Sequence, residues 1–216
     1  MTGQGVSRET PLAPDACQRL IAADDVTMAR LAAYVDLLRT WCRRINMVGA
    51  RTLDDPWRRH ILDCAQIASH LPGGRPVVVD LGTGAGLPGL IVAILTDAEV
   101  HLVESSARKC AFLQEAARIT QTKVAVHHDR IETLPLTGVD CVTARACAPL
   151  LKLLEYAERL LASDGTCLFL KGAAAAAELT ACEERWKMTV SLIESRSDRS
   201  GRIVKIEGLH RRGGRW

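Results

Sequence analysis

Val77-Val78-Val79-Asp80-Leu81-Gly82-Thr83-Gly84-Ala85-Gly86-Leu87-Pro88-Gly89 constrains the fold of this chain more than any other stretch. A β-branched run leads into an acid and a glycine-rich turn, and the apolar run Leu90 to Leu95 follows. That pattern predicts a buried parallel strand, a tight loop and the start of a helix. Glycines let the backbone approach a ligand more closely than side chains would allow. Pro88 suits the first turn of the helix, where its missing N–H costs nothing.

Two ligand classes fit the turn. Gly84-x-Gly86-x-x-Gly89 matches the dinucleotide fingerprint, and Glu104 lies about twenty residues on, where a ribose-binding acid is expected. Asp80, at the strand's end, argues for another ligand. A carboxylate beside the turn repels a pyrophosphate and suits a cation carrying an amino group and a sulfonium. Asp80 followed by Gly82-x-Gly84-x-Gly86 resembles the first motif of S-adenosylmethionine (SAM)-dependent methyltransferases.

The flanking sequence alternates strand and helix. Expected strands are Val77 onward, Glu99–Glu104, Lys123–His127, Val139–Thr143, Thr166–Leu170, Thr189–Glu194 and Arg202–Gly208. Helices are expected at Ala107–Thr120, Pro149–Ala162 and Ala173–Trp186. Such alternation predicts an α/β, doubly wound, mostly parallel seven-stranded sheet. Ser195–Gly201 is too short for a helical crossover, so the last two strands form an antiparallel C-terminal hairpin. Residues 1–72 read as an N-terminal helical extension and 73–216 as the main domain. Within the extension, Met1–Leu12 reads as disordered and Pro14–Ala23 as a short helix. Thr27 reads as the cap of a helix striped by Met28, Leu31, Val35, Leu38, Cys42 and Ile45. Asn46–Thr52 reads as a loop, and Asp55-Pro56 opens a helix that Pro72-Gly73-Gly74 stops.

Charge and cysteine content narrow the classes. Net charge is only +3, but Arg196–Trp216 holds seven cations against two anions. Arg39, Arg43, Arg44, Arg51, Arg58 and Arg59 form a second basic group, and such patches suit a polyanion. The eight cysteines lack zinc-ligand spacing and read as reduced core residues, so no metal is expected. No apolar run has the length of a membrane span, and Met1–Pro11 lacks an apolar signal core. The expected location is therefore cytoplasmic, with no membrane partner.

In such sheets ligands sit outside the carboxyl ends of the strands. That rule selects Asp80, Gly82 and Gly84 after the first strand and Glu104, a ribose-hydroxyl acceptor, after the second. Ile131-Glu132 follow the third, placed to flank an adenine. Arg145 ends the fourth strand, and Lys171 the fifth.

The combined motifs resemble the RsmG (GidB) family, bacterial methyltransferases that modify N7 of a guanine in 16S ribosomal RNA. The resemblance rests on Arg59-His60-Ile61-Leu62-Asp63, the glycine turn with its Gly-Leu-Pro-Gly ending, and Arg108-Lys109-x-x-Phe112-Leu113. It continues in Arg130-Ile131-Glu132, Thr143-Ala144-Arg145-Ala146 and Leu170-Lys171-Gly172. It implies a Rossmann-like SAM-dependent methyltransferase fold, SAM as cofactor, 16S rRNA or the small ribosomal subunit as partner, and a monomer. It places Gly82 and Leu87 against SAM, Ile131 and Glu132 around the adenine, and Arg145 at the end of the pocket. Asn46, Arg59, His60 and Lys171 adjoin the strand ends and are expected on the RNA side. The target implied is the helix 18 loop. Three residues depart from the family pattern: Glu104 where Asp is common, Cys64 where Ser is, and Asp129 where a small residue is.

Guanine N7 has a lone pair and no proton, so no general base, and no catalytic acid or base, is expected. An NAD-linked oxidoreductase and a noncatalytic SAM-binding ribosome assembly factor stay as alternatives. Ligand preference between NADH and S-adenosylhomocysteine separates the first, and absence of methylated product the second.

Overall fold

The computed structural model describes residues 10–213. Most of the expected disordered segment, residues 1–9, lies outside them, as does Arg215 of the basic tail. Leu12 belongs to the structure: its amide donates to Asp55 Oδ1 at 2.9 Å, and Arg58 reaches the carbonyl of Thr10 at 3.0 Å.

Two helices open the fold, α1 (Pro14–Ile21) and α2 (Asp25–Cys42). The cap of α2 is Asp24, not Thr27: its carboxylate accepts from the Thr27 amide at 2.7 Å. The reading that opened the helix at Thr27 took the donor of this bond for its acceptor. A 3₁₀ turn (Ala50–Asp54) follows, within what the sequence marked as loop. The expected helix after Pro56 is three segments in series: a π turn (Trp57–Leu62), the short α3 (Asp63–Ala65) and a 3₁₀ turn (Gln66–His70).

The sheet strands are β1 (Val77–Leu81), β2 (Glu99–Val103), β3 (Ala125–His127), β4 (Val139–Arg145), β5 (Leu161–Lys171), β6 (Trp186–Glu194) and β7 (Arg202–Arg211). Between them lie α4 (Gly89–Leu95), α5 (Ala107–Ile119), α6 (Leu150–Leu160) and α7 (Ala175–Cys182). Strand order is β3-β2-β1-β4-β5-β7-β6. The first five strands pair in parallel, and β7 runs antiparallel to both β5 and β6. The expected hairpin is therefore present, with β7 slotted inside β6. Several boundaries move from the sequence reading. Helix α6 ends at Leu160, because Leu161 already pairs with Val139. Helix α7 ends at Cys182, because Trp186 is buried as the first residue of β6.

Alternate residues of the central strands feed two cores, as a parallel sheet covered on both faces requires. Val78, Val100, Leu102, Cys141 and Leu168 face α2, α4 and α5. Val79, Val103, Val142, Cys167 and Phe169 face α6 and α7. The N-terminal helices share the first core. Leu31, Tyr34, Val35 and Leu38 of α2 are buried there, and Trp41 packs edge-on to Phe112 at 5.5 Å. Arg30 donates to Thr120 O at 2.7 Å and to Thr122 Oγ1 at 2.9 Å. Tyr34, fully buried, donates its hydroxyl to Ala85 O at 2.7 Å, in the middle of the glycine turn.

Removing that hydroxyl strands a buried carbonyl. Tyr34→Phe is expected to destabilise the chain by about 1–3 kcal/mol, read as a lowered urea midpoint at unchanged m-value. An unchanged midpoint would show that the turn does not depend on this tether.

Candidate active site at the carboxyl edge of the sheet

The glycine turn is built around Asp80. This residue is fully buried, and its carboxylate accepts from Thr83 Oγ1, from the Gly89 amide at 2.9 Å and from Thr143 Oγ1 at 2.8 Å. A buried carboxylate needs such donors to offset desolvation. Burial still pushes its pKa up to about 6, against the lowering by Thr83, Gly89 and Thr143. Gly89 has to be glycine for this contact: a Cβ would lie 2.6 Å from the Asp80 Cβ. Gly82 sits at φ +58°, and a Cβ there would run into the Cys147 sulfur. The sequence reading put Asp80 against the ligand. The structure turns its side chain into the protein, where it braces the turn between β1 and β4.

Five amides of the turn bond within the protein itself. Thr83 N donates to Val103 O at 3.0 Å, and Gly86 N and Leu87 N to Thr83 O at 2.9 and 3.0 Å. Gly84 N donates to Glu104 Oε2 at 3.1 Å, and Gly89 N to Asp80. A pyrophosphate site at a helix N-terminus needs amides that point at the ligand. Here five of those donors are engaged and two carboxylates stand beside them. This donor set does not fit a dinucleotide pyrophosphate and does fit a cationic ligand. Glu104 is held by one amide on each oxygen, Gly84 N and Ser106 N at 2.8 Å. A carboxylate has about four acceptor sites, so it keeps capacity for ribose hydroxyls.

A second network faces the turn across a cleft of about 510 Å³. Arg145, at the end of β4, donates to Arg59 O at 3.0 Å, to Asp63 Oδ2 at 3.1 Å and to His60 Nδ1 at 3.2 Å. A guanidinium only donates, so His60 Nδ1 accepts and its proton sits on Nε2. That nitrogen lies 2.9 Å from Thr52 Oγ1, whose hydroxyl donates to Gly49 O at 2.6 Å. Burial, with Arg145 and Arg59 close by, pushes the His60 pKa down to about 3, which keeps the ring neutral. The β6–β7 loop closes over this motif. Ser197 donates to Asp63 Oδ1 at 2.6 Å, and Gln66 Nε2 donates to Ser195 Oγ at 3.2 Å. Arg59 pairs with Asp198 at 2.7 Å. On the far wall Lys171 pairs with Glu178 at 2.7 Å and donates to Ala148 O at 3.2 Å. Glu178 also accepts from the Leu150 amide, which pins the loop between β4 and α6.

Of the residues expected from sequence, Gly82, Gly84, Leu87, Arg59, His60, Arg145 and Lys171 all line this one cleft. Asp80 and Glu104 sit behind its wall. Asn46 is exposed in a separate shallow dent with Arg43 and Arg44. Ile131 and Glu132 lie in a 3₁₀ turn off the cleft lining, where Tyr156 donates to Glu132 at 2.6 Å. The sequence reading missed Lys109 and the loop residues Ser195, Ser197, Asp198 and Ser200, which also line the cleft. Lys109 lay inside a motif but carried no role. The loop residues read as a plain hairpin connection.

Comparison with known proteins agrees with this architecture. Residues 27–200 match the GidB family, described as rRNA small subunit methyltransferase G. A curated relative from Rhodospirillum rubrum, named ribosomal RNA small subunit methyltransferase G, is 50% identical over 93% of this chain and 100% of its own. A relative of the same name from Paramagnetospirillum magneticum is 45% identical over 98% of this chain and 95% of its own. Among solved structures, a putative class I S-adenosylmethionine-dependent methyltransferase from Listeria monocytogenes superposes with a TM-score of 0.61. It is 12% identical and covers 87% of this chain and 70% of its own. A SAM-dependent methyltransferase from Aquifex aeolicus gives 0.56 at 16% identity over 74% of this chain and 95% of its own. At these identities the structures speak for the fold alone.

The raised pKa of Asp80 has a measurable consequence. Near pH 5 the folded chain holds a proton on this group that the unfolded chain has released. The stability it contributes is full below pH about 4 and is lost as pH rises through about 6. Asp80→Asn should therefore remove a downward slope of stability between pH 4 and 6, measured as the difference in unfolding free energy between variant and parent. A difference that is flat across this window would place the carboxyl's pKa elsewhere.

Proposed function

Because this chain belongs to the rRNA small subunit methyltransferase G family, we propose that it carries a methyl group from S-adenosylmethionine to N7 of a guanine in the helix 18 loop of 16S rRNA. The observation that carries the reading is the meeting of two motif groups on one cleft. The glycine turn supplies one wall, and Arg59, His60 and Asp63 with Arg145 supply the other.

S-adenosylmethionine, when bound, supplies an electrophilic methyl on a sulfonium. Gly82 and Leu87 are the turn residues that would hold it, and Glu104 offers acceptor sites for its ribose hydroxyls. We assign the adenine to Ile131 and Glu132 and the inner end of the pocket to Arg145. The donor set favours this ligand over NAD, because the turn has engaged five of its amides and presents carboxylates nearby.

Guanine N7 needs no deprotonation, and the cleft is built accordingly. His60, the one imidazole on its wall among the described residues, is committed on both nitrogens to Arg145 and Thr52. The work left to the chain is alignment and exclusion of water, and alignment alone can contribute about 7–11 kcal/mol. The base has to leave its stack or come from a loop to enter. Arg59, about half exposed at the rim, and Lys171, deeper in, are the cations we place toward the RNA. The exposed Arg43, Arg44 and Asn46 beside the cleft suit the flanking phosphates. We place the reaction in the cytoplasm, performed by a single copy of the chain.

Small ribosomal subunits lacking the modification, incubated with the protein and methyl-labelled SAM, should gain one N7-methylguanine in the helix 18 loop. Label at another RNA position would keep the chemistry and discard the target, and no label would discard both. Arg59→Ala should lower transfer at least tenfold while S-adenosylhomocysteine affinity, measured by calorimetry, stays the same. Equal loss of both would remove Arg59 from the RNA side.

A further inference from the structure

We propose that Asp198 reads the Watson–Crick edge of the target guanine, exchanging the Arg59 guanidinium for the base's N1–H and N2 amino donors. The proposal rests on the guanine methyltransferase reading and adds the residue that would select the base.

Three carboxylates line the cleft, Asp63, Glu178 and Asp198. Asp63 is held on one oxygen by Arg145 and on the other by Ser197, deep in the motif. Glu178 takes Lys171 and the Leu150 amide on one oxygen, Oε2, which ties it to the start of α6. Asp198 differs in exposure and partner. Its side chain is 35% exposed, and Arg59, its partner, is 44% exposed. Ion pairs this exposed are weak and exchange readily. Ser200 fixes the carboxylate through Oδ1, donating from its amide at 2.9 Å and from its hydroxyl at 2.7 Å. Only Arg59 occupies Oδ2, so the carboxylate is oriented while one oxygen remains exchangeable. Those bonds, first Ser200 and then Arg59, hold its pKa down to about 2, so it is an acceptor at any working pH.

Position supports the role. The glycine turn follows β1, while Asp198 precedes β7, three places along the sheet in the order β1-β4-β5-β7. At the usual strand spacing that is about 14 Å, room for a purine laid across the ends of β4 and β5. A guanine with N7 toward the turn points its N1–H and N2 amino group away from it. Both are donors, which an acceptor-only carboxylate satisfies. Adenine offers an unprotonated N1 on that edge, which a carboxylate repels. The displaced Arg59 then has an RNA phosphate as its natural partner.

The test compares guanosine with inosine, which lacks the 2-amino group, at the target position of 16S rRNA reconstituted into small subunits. The unaltered protein should prefer guanosine at least tenfold in kcat/KM. Asp198→Ala and Asp198→Asn should bring the ratio to within about twofold, with S-adenosylhomocysteine binding retained as the check on folding. A ratio near one for the unaltered protein, or one preserved in both variants, overturns the proposal alone. No transfer by the unaltered protein to the guanosine subunit overturns the methyltransferase reading and this proposal with it.

Discussion

A single buried carboxylate organises the site. Asp80 lies under the turn with no solvent to stabilise it, so folding has to bring donors to it. It finds them in Thr83 and Gly89 of the turn and in Thr143 of the neighbouring β4. This requirement explains Gly89 better than ligand access does, since any side chain there would collide with Asp80 itself. It also sets the ligand class at a distance. With five of the turn's amides committed to Asp80, Glu104 and the backbone, the loop is poorly suited to cradle a phosphate, whatever its glycine spacing suggests.

The opposite wall follows the same logic with the signs reversed. Arg145 is a largely buried cation, and it is satisfied by a carbonyl, a carboxylate and a neutral imidazole from one short segment. The widened π turn at Trp57–Leu62 presents Arg59 and His60 to the cleft, and Asp63 follows at once. Through Asp63, Gln66 and Arg59 the β6–β7 loop is tied to that segment, across more than 120 residues of sequence. The N-terminal extension therefore builds part of the site wall, through Met47–Asp63, as well as part of the core.

Much of this was legible in the residues. Strand runs such as Val77–Val79 carry their own signal, because burial on both faces demands unbroken apolar sequence. The seven-residue span Ser195–Gly201 fixed an antiparallel end, because a parallel return needs a longer crossover. The rule that ligands sit at strand ends brought Gly82, Gly84, Arg145 and Lys171 to one place, and it found the cleft. It could not say which strand-end side chains turn inward. Asp80 was read as a ligand contact because its position along the strand is right, yet the identity of its partners depends on Thr143, sixty residues on. Asn46, Ile131 and Glu132 fall near the edge in sequence terms but off the cleft in space. The loop 195–201 escaped notice because Ser, Asp and Arg are ordinary turn residues, and only packing against the Arg59–Asp63 segment gives them a role.

The turn should take a sulfonium nucleoside and not a dinucleotide. Calorimetric titration of the purified chain with SAM, S-adenosylhomocysteine and NADH in parallel tests it directly. Both S-adenosyl compounds should bind saturably and one-to-one, with no binding heat from NADH at the same concentrations. Saturable NADH binding with silent S-adenosyl titrations would contradict it, and would mean that the amides engaged by Glu104 and Asp80 are released to a phosphate.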